Sequence, residues 1–228
     1  MLKWIAIPAV SLLAMLPTAS NAQLACAISA TTVNALQAKL ASVITQNNGG
    51  LFSPNEMWSA IVDRTGKLCS VITSSPDAWP GSRAIAIAKA TTANGFSNNK
   101  LALSTANLYA PTQPGGSLYG LNNSNPFNPV FQPQNSGIGF VPGGVITFGG
   151  GVALYQSGQI IGGLGVSGDT SCADHAISYR MRHDAGLDGI PGGVGLNGSD
   201  NILYAAVGTT PTGFEHPHCL GPTVDVTP

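Results

Sequence analysis

The chain of 228 residues carries a net charge of −1, and only 8% of it is Asp, Glu, Lys or Arg. That excludes a nucleic-acid binder, which needs a basic face, and it excludes an acidic or basic interaction tail. The length suits one domain of ordinary size, and with 29 glycines and 16 prolines the polar surface is built mostly from uncharged side chains.

At the N-terminus Lys3 precedes an apolar run from Trp4 to Leu16, and Ser20-Asn21-Ala22 offers small residues where a signal peptidase cleaves. The pattern predicts a signal peptide over 1–22 and an exported protein, periplasmic or extracellular. The run is shorter than the roughly 20 residues of a bilayer-spanning helix, so no retained membrane span is expected. The alternative is a lipoprotein signal at Gln23-Leu24-Ala25-Cys26, whose glutamine stands where a large aliphatic residue belongs. Export makes the four cysteines disulfide candidates. Of the three possible pairings, Cys26 with Cys69 and Cys172 with Cys219 is favoured, because each bond then joins a terminal region to the nearer part of the core. A metal site formed by Cys172, Cys219 and the nearby histidines is the competing reading, and it lacks paired-cysteine spacing.

Val33, Leu36, Leu40, Val43 and Ile44 recur at helical spacing over 31–47, and Asn48-Gly49-Gly50 ends the pattern. Met57 to Val62 and Leu68 to Thr73, joined by Asp63-Arg64-Thr65-Gly66, predict a hairpin. An alanine-rich helix is expected over Ser82–Asn94, stopping at Gly95. Its Lys89, set among Ile85, Ala86, Ile87 and Ala88, either snorkels out of a groove or holds an acidic ligand group at a pocket rim. A shorter helix is expected over Lys100–Leu108. The Pro/Gly/Asn-rich stretch 110–137 is too long for an ordinary connection, and its Tyr119, Phe127 and Phe131 argue for an ordered functional loop. Gly149-Gly150-Gly151 is a weak phosphate-binding signal, because no Lys-Ser/Thr ending follows it.

Gln159–Arg182 is the centre of the chain. Ile160, Ile161, Leu164 and Val166 read as a buried strand, and the helix expected over Cys172–His183 opens with Ser171 and Asp174 as a capping pair. Gly163, Gly165 and Gly168 spell GxGxxG between the two. A second parallel strand is missing from glycine-rich 186–198, so these glycines are read as points of close backbone approach rather than a dinucleotide turn. The helix N-terminus itself still favours a carboxylate or phosphate. If Cys172 and Cys219 are joined, His175 comes near His216 and His218, and three imidazoles cluster. His175 is therefore the candidate metal or haem-iron ligand, with Tyr179 and His183 continuing its face; the alternative is capping and surface hydrogen bonding.

Five blocks in order, IVDRTGKL (61–68), IAIAKATTA (85–93), PGGSLYGL (114–121), GGVITFGGGVAL (143–154) and IIGGLGVSGDTSCADH (160–175), resemble the GlcG/HbpS-like haem-binding family, which includes the PduO C-terminal-like domains. CADH and the closing HPHC (216–219) are similar to an exported, cysteine-containing branch. The resemblance implies an α+β fold: a profilin-like three-layer α/β/α sandwich around a mainly antiparallel five-stranded sheet, here one domain over 23–228. It implies haem as cofactor and a homo-oligomer for some members, and a corrinoid-enzyme appendage or an operon association with glycolate use for others. The residues singled out for the cofactor are Lys89, Gly115, Gly116, Tyr119, Gly149, Gly150 and Gly151. The loop and the C-terminal extension (186–228) depart from the shorter members. No shared catalytic residue follows. The chain has no Ser-His-Asp order, paired-carboxylate motif or HExxH, and all four histidines fall at or after His175. A non-enzymatic exported haem binder is therefore expected, the alternative being an enzyme or accessory protein acting on haem or on a small acidic metabolite such as a 2-hydroxy acid.

Overall fold

The computed structural model describes residues 26–124 and 136–228. The leader expected over 1–22, together with Phe127 and Phe131, lies outside the described residues. The first helices are α1 (Ala30–Ala38) and α2 (Leu40–Val43). Ser29 caps α1 by accepting from the Thr32 N–H at 3.1 Å, and the Asn48 side chain closes the end of α2 by donating to the Val43 carbonyl at 2.8 Å. The continuous helix expected over 31–47 is thus two short ones breaking at Lys39, and the apolar positions Val33, Leu36, Leu40 and Val43 are all buried.

Strands β1 (Trp58–Asp63) and β2 (Leu68–Thr73) form the expected hairpin. Asp63 organises its turn, accepting from the Thr65 N–H at 2.9 Å and the Lys67 N–H at 3.2 Å. Helix α3 spans Ser82–Gly95. Lys100–Leu108 does not form the expected helix. Asn98 accepts from the Lys100 and Leu101 N–H groups, Asn107 accepts from that of Ser104, and Ala102 N–H goes to the Gly192 carbonyl. Short polar side chains and a distant loop capture the donors that a helix needs. A single turn, α4 (Tyr109–Thr112), follows. Strands β3 (Gly151–Gln156) and β4 (Gln159–Ser167) make the second hairpin, and α5 covers Ser171–Asp184.

The sheet runs β2-β1-β4-β3, antiparallel throughout. Because side chains alternate across a strand, Met57 and Ile61 join Leu36, Val43, Leu164, Ile177 and Met181 on one face, while Trp58, Ala60 and Val62 pack with Ala86, Ile87 and Ala90 on the other. Helices α1, α2 and α5 form one outer layer and α3 the opposite one, which is the expected α/β/α sandwich. Among the described residues the sheet has four strands rather than five. Val145–Thr147 joins no ladder and Phe148 lies in a bend; Ile146 N–H donates to the Thr92 hydroxyl of α3 at 3.0 Å instead. Each sheet edge carries one isolated bridge, Ile138 beside Leu68 and Asp188 beside Tyr155.

The GxGxxG glycines are contact points, since β4 is antiparallel to both neighbours and the described residues contain no βαβ unit. A Cβ on Gly163 would collide with the Ala90 carbonyl, one on Gly165 with that of Ala86, and one on Gly168 with that of Glu56. Gly163 and Gly165 thus let α3 lie directly on the sheet, and Gly168 lets the segment entering β1 pass close.

Candidate functional site

The glycines at 115 and 116 belong to a tight turn. Gly116 N–H donates to the Gln113 carbonyl at 2.8 Å, Pro114 occupies the second position, and Gly115 has φ of 86°, a type II arrangement in which Pro fixes one dihedral and Gly supplies the left-handed one. A Cβ on Gly116 would strike the Pro111 carbonyl, so the turn folds flat against α4. Beside it opens a groove of about 700 Å³, walled by Phe96, Leu103, Leu108, Pro111, Leu118 and Phe214, with the rest of 210–213 along one side. The segment carrying Phe214 is held to α4 by the Ala110 N–H donating to the Glu215 carbonyl. Tyr119, next after Leu118, is 67% exposed.

The other residues singled out for a cofactor lie elsewhere. Lys89 is completely buried, its Nζ 2.6 Å from Asp174 Oδ2 and 3.2 Å from the Val166 carbonyl, above the Phe148 ring. It neither snorkels nor stands at a rim, because a buried carboxylate 85 residues away takes its charge. Gly149, Gly150 and Gly151 are buried against this pair. A Cβ on Gly149 would meet the Ser171 carbonyl, and one on Gly150 would lie 2.7 Å from Lys89 Nζ. The Gly149 and Gly151 N–H groups donate to His216 Nε2 and the Thr105 hydroxyl, which leaves no phosphate cradle; the triplet packs β3 against α3 and α5. Asp174 does not pair with Ser171 as a cap either. Thr170 caps α5, accepting from the Ala173 N–H, while Asp174 Oδ1 accepts from the Gly168 and Asp169 N–H groups. Burial pushes the Asp174 carboxyl up to about 6 despite the neighbouring Lys89 charge.

Both favoured disulfides, Cys26–Cys69 and Cys172–Cys219, are present, so the Cys26 sulfur is not open to a thioether-linked lipid. The three imidazoles do not converge. His175 is buried with Nε2 3.0 Å from both Asn201 Oδ1 and the Ile202 nitrogen. His216 Nε2 faces Gly149 and Ser171, and His218 stacks on Tyr204 at 4.4 Å and bonds Asp225. His183 lies on the surface, paired with Asp188 at 2.6 Å. Among the described residues, the clusters with metal-ligand spacing are Cys172/His216/Cys219 and Cys26/Asp63/Cys69; neither contains His175. The sequence reading also missed the buried pair Arg182–Asp200, bidentate at 2.6 Å on each arm, which ties α5 to the C-terminal extension.

Burial pulls the His175 and His216 imidazoles down to about 4. Each takes up a proton on unfolding between pH 4 and 6.5, whereas Asp174, raised to about 6, releases one on unfolding between about pH 4 and 6. The net uptake is then about one proton, so stability should rise with pH by about 1.4 kcal/mol per unit from pH 4 to 6, and more steeply up to 6.5. Urea midpoints across this window test it; a flat or falling series rejects the assignment.

Haem, which the sequence resemblance implies, can be tested against the groove. Its volume lies within the range of small-molecule sites, and its walls are apolar enough for a porphyrin face. Ser117 and Thr210 provide hydroxyls, and among the described residues no His, Met, Cys or charged side chain lines it. The groove therefore fits the macrocycle, and Tyr119, next in sequence to the lining residue Leu118, carries an exposed phenol of a type known to bind haem iron.

Comparison with known proteins agrees with the fold. A sequence model described as "Haem degrading protein HbpS-like" matches residues 53–181, more than half of the chain. The corrinoid adenosyltransferases PduO of Citrobacter freundii and Salmonella typhimurium are 36% and 38% identical over 126 and 121 residues, covering 52% of this chain in each case. The match spans only 30% and 29% of those relatives, less than a third of their length. The crystal structure of a PduOC:haem complex superposes with a TM-score of 0.52 at 28% identity, covering 69% of this chain and 94% of that one. The Klebsiella pneumoniae protein ORFY gives 0.53 at 23% identity, covering 70% and 90%, and supports the fold alone. With the sandwich, its antiparallel sheet and the matched central segment in agreement, the chain belongs to the HbpS-like family.

Proposed function

We propose that this protein is an exported haem-binding protein that stores or senses haem without catalysing its conversion, and that it assembles as a homo-oligomer. The observation that carries the reading is the apolar groove beside the Pro114-Gly115-Gly116 turn, in a member of a family with a haem-complexed relative. Leu103, Leu108, Leu118 and Phe214 would hold the porphyrin, the Ser117 and Thr210 hydroxyls its polar edge, and Tyr119 would approach the iron. Haem would supply redox and ligand-binding chemistry; the chain's part is to exclude water and fix orientation. Lys89 and Gly149–Gly151 support the scaffold in this reading. Two disulfides support export, and among the described residues no helix is long and apolar enough to cross a membrane.

Hemin added to the purified protein should give a shifted Soret band. Leu118→Asp, which puts a charge on the groove wall, should weaken binding about 10- to 100-fold, the value of one apolar side chain, with the thermal midpoint unchanged. Tyr119→Phe should alter the iron spin-state spectrum. Unchanged hemin affinity in Leu118→Asp rejects the groove. The alternative, haem degradation, rests on the family description and predicts bleaching by peroxide that requires the folded chain; stable absorbance supports storage or sensing. A monomer mass in light scattering across micromolar concentrations would remove the oligomer from the reading.

A further inference from the structure

The corner where the C-terminal extension meets α5 holds a donor set that the haem reading does not use. Cys172 opens the helix, and His216 and Cys219 lie three residues apart on the extension. Their ligand atoms are all within 4.8 Å of one another. His216 Nδ1 is 2.7 Å from the Pro217 carbonyl, so Nδ1 carries the proton, and Nε2, whose lone pair accepts from the Gly149 N–H, faces the cluster. The Nδ1 contact is the outer hydrogen bond that orients metal-binding imidazoles. Nε2 is 3.3 Å from the Gly149 N–H and 3.4 Å from Ser171 Oγ. Cys219 Sγ accepts from the Cys172 N–H at 3.1 Å and lies 3.3 Å from Ser171 Oγ. Donors at a helix N-terminus stabilise a thiolate, and Cys172 and His216 are each 1% exposed.

We propose that reduction of Cys172–Cys219 converts this corner into a binding site for one thiophilic cation such as zinc, with Cys172 Sγ, Cys219 Sγ and His216 Nε2 as its protein ligands. A dithiol reductant supplies two electrons and two protons and becomes a disulfide; the S–S bond breaks to two thiols, and metal binding releases their two protons to solvent. Three protein ligands leave a fourth position for water or the Ser171 hydroxyl. Tetrahedral zinc with sulfur and nitrogen ligands places those atoms roughly 3.5–3.8 Å apart, inside the spread of the cluster. The other cysteine pair is a control within the same chain. It offers Asp63 in place of an imidazole, and metal binding there would compete with the N–H groups of Ala27, Thr65 and Lys67, against the single Gly149 N–H on His216 Nε2. The extension that carries His216 and Cys219 also carries Thr210–Phe214 of the groove wall, so the metal would tether in the reduced protein what the disulfide tethers in the oxidised one.

The test is titration of the anaerobically reduced, reductant-free full chain with cobalt(II), which reports thiolate ligation optically. One equivalent should produce thiolate-to-cobalt charge-transfer bands and tetrahedral ligand-field absorption, both removed by zinc, while the oxidised protein gives neither. His216→Ala should lower the affinity of the reduced chain at least about 10-fold, and Cys26→Ser/Cys69→Ser should bind as the wild type does. Absent bands, bands that follow the Cys26/Cys69 pair, or an unchanged affinity in His216→Ala overturn the proposal. If reduction unfolds the chain, one equivalent of zinc should restore native circular dichroism in the wild type and not in His216→Ala; failure to restore it overturns the proposal equally.

Discussion

Asp174→Ala should lower the unfolding free energy by about 3–5 kcal/mol, the cost of leaving a buried charge without its partner. Lys89 Nζ lies at 0% side-chain exposure, 2.6 Å from Asp174, and its remaining hydrogen-bond acceptor is the Val166 carbonyl. Removing the carboxylate also orphans the Gly168 and Asp169 N–H groups at the start of α5, each a further loss where it stays dry. For a chain of this size the thermal midpoint should fall by about 6–20 °C. The double replacement Lys89→Met/Asp174→Ala should recover a large part of the loss, since no unpaired charge then remains. Urea unfolding of both variants decides it. A double variant no more stable than the single one would show that the charge pair is not what the sheet and its two flanking helices depend on.

What the sequence made legible was local. The alanine run of α3 with Gly95 at its end, the Asp63-Arg64-Thr65-Gly66 turn between β1 and β2, and the glycines of β4 each carry their structural cause within a few residues, and the structure places them as read. The disulfide pairing was legible in part: of three possible pairings, the rule of joining each terminal region to the nearer core favoured the one that forms. Lys89 was misread because its partner is remote in sequence, and an isolated lysine on an apolar helix face normally keeps its charge in water. The helix expected over Lys100–Leu108 failed because Asn98, Ser104 and Asn107 bond local backbone groups, a competition that apolar spacing does not register. Half of the groove was visible in Pro114-Gly115-Gly116. Its other wall, Thr210–Phe214, has no periodicity or motif and is brought there only by the tertiary ties of the extension.

Those ties give the second large effect. Cys172→Ser/Cys219→Ser should destabilise the protein by about 4 kcal/mol on a loop-entropy estimate, for a sequence separation of 47. Cys26→Ser/Cys69→Ser should cost a similar amount, with a separation of 43. The two variants should differ in hemin binding. The first bond holds Cys219 to the start of α5, and the chain runs back from there through His216 and Glu215, whose carbonyl accepts from Ala110, to Phe214 on the groove wall. Freeing Cys219 leaves that wall anchored by the Glu215–Ala110 and Tyr204–His216 contacts, so hemin affinity should drop several-fold or more as the wall is ordered only on binding. The second bond joins Cys26 to β2, and neither of its residues lines the groove; its removal should leave hemin affinity unchanged at temperatures where the chain stays folded. Equal hemin affinities in the two variants, measured where circular dichroism shows both native, would disconnect the C-terminal extension from the ligand site.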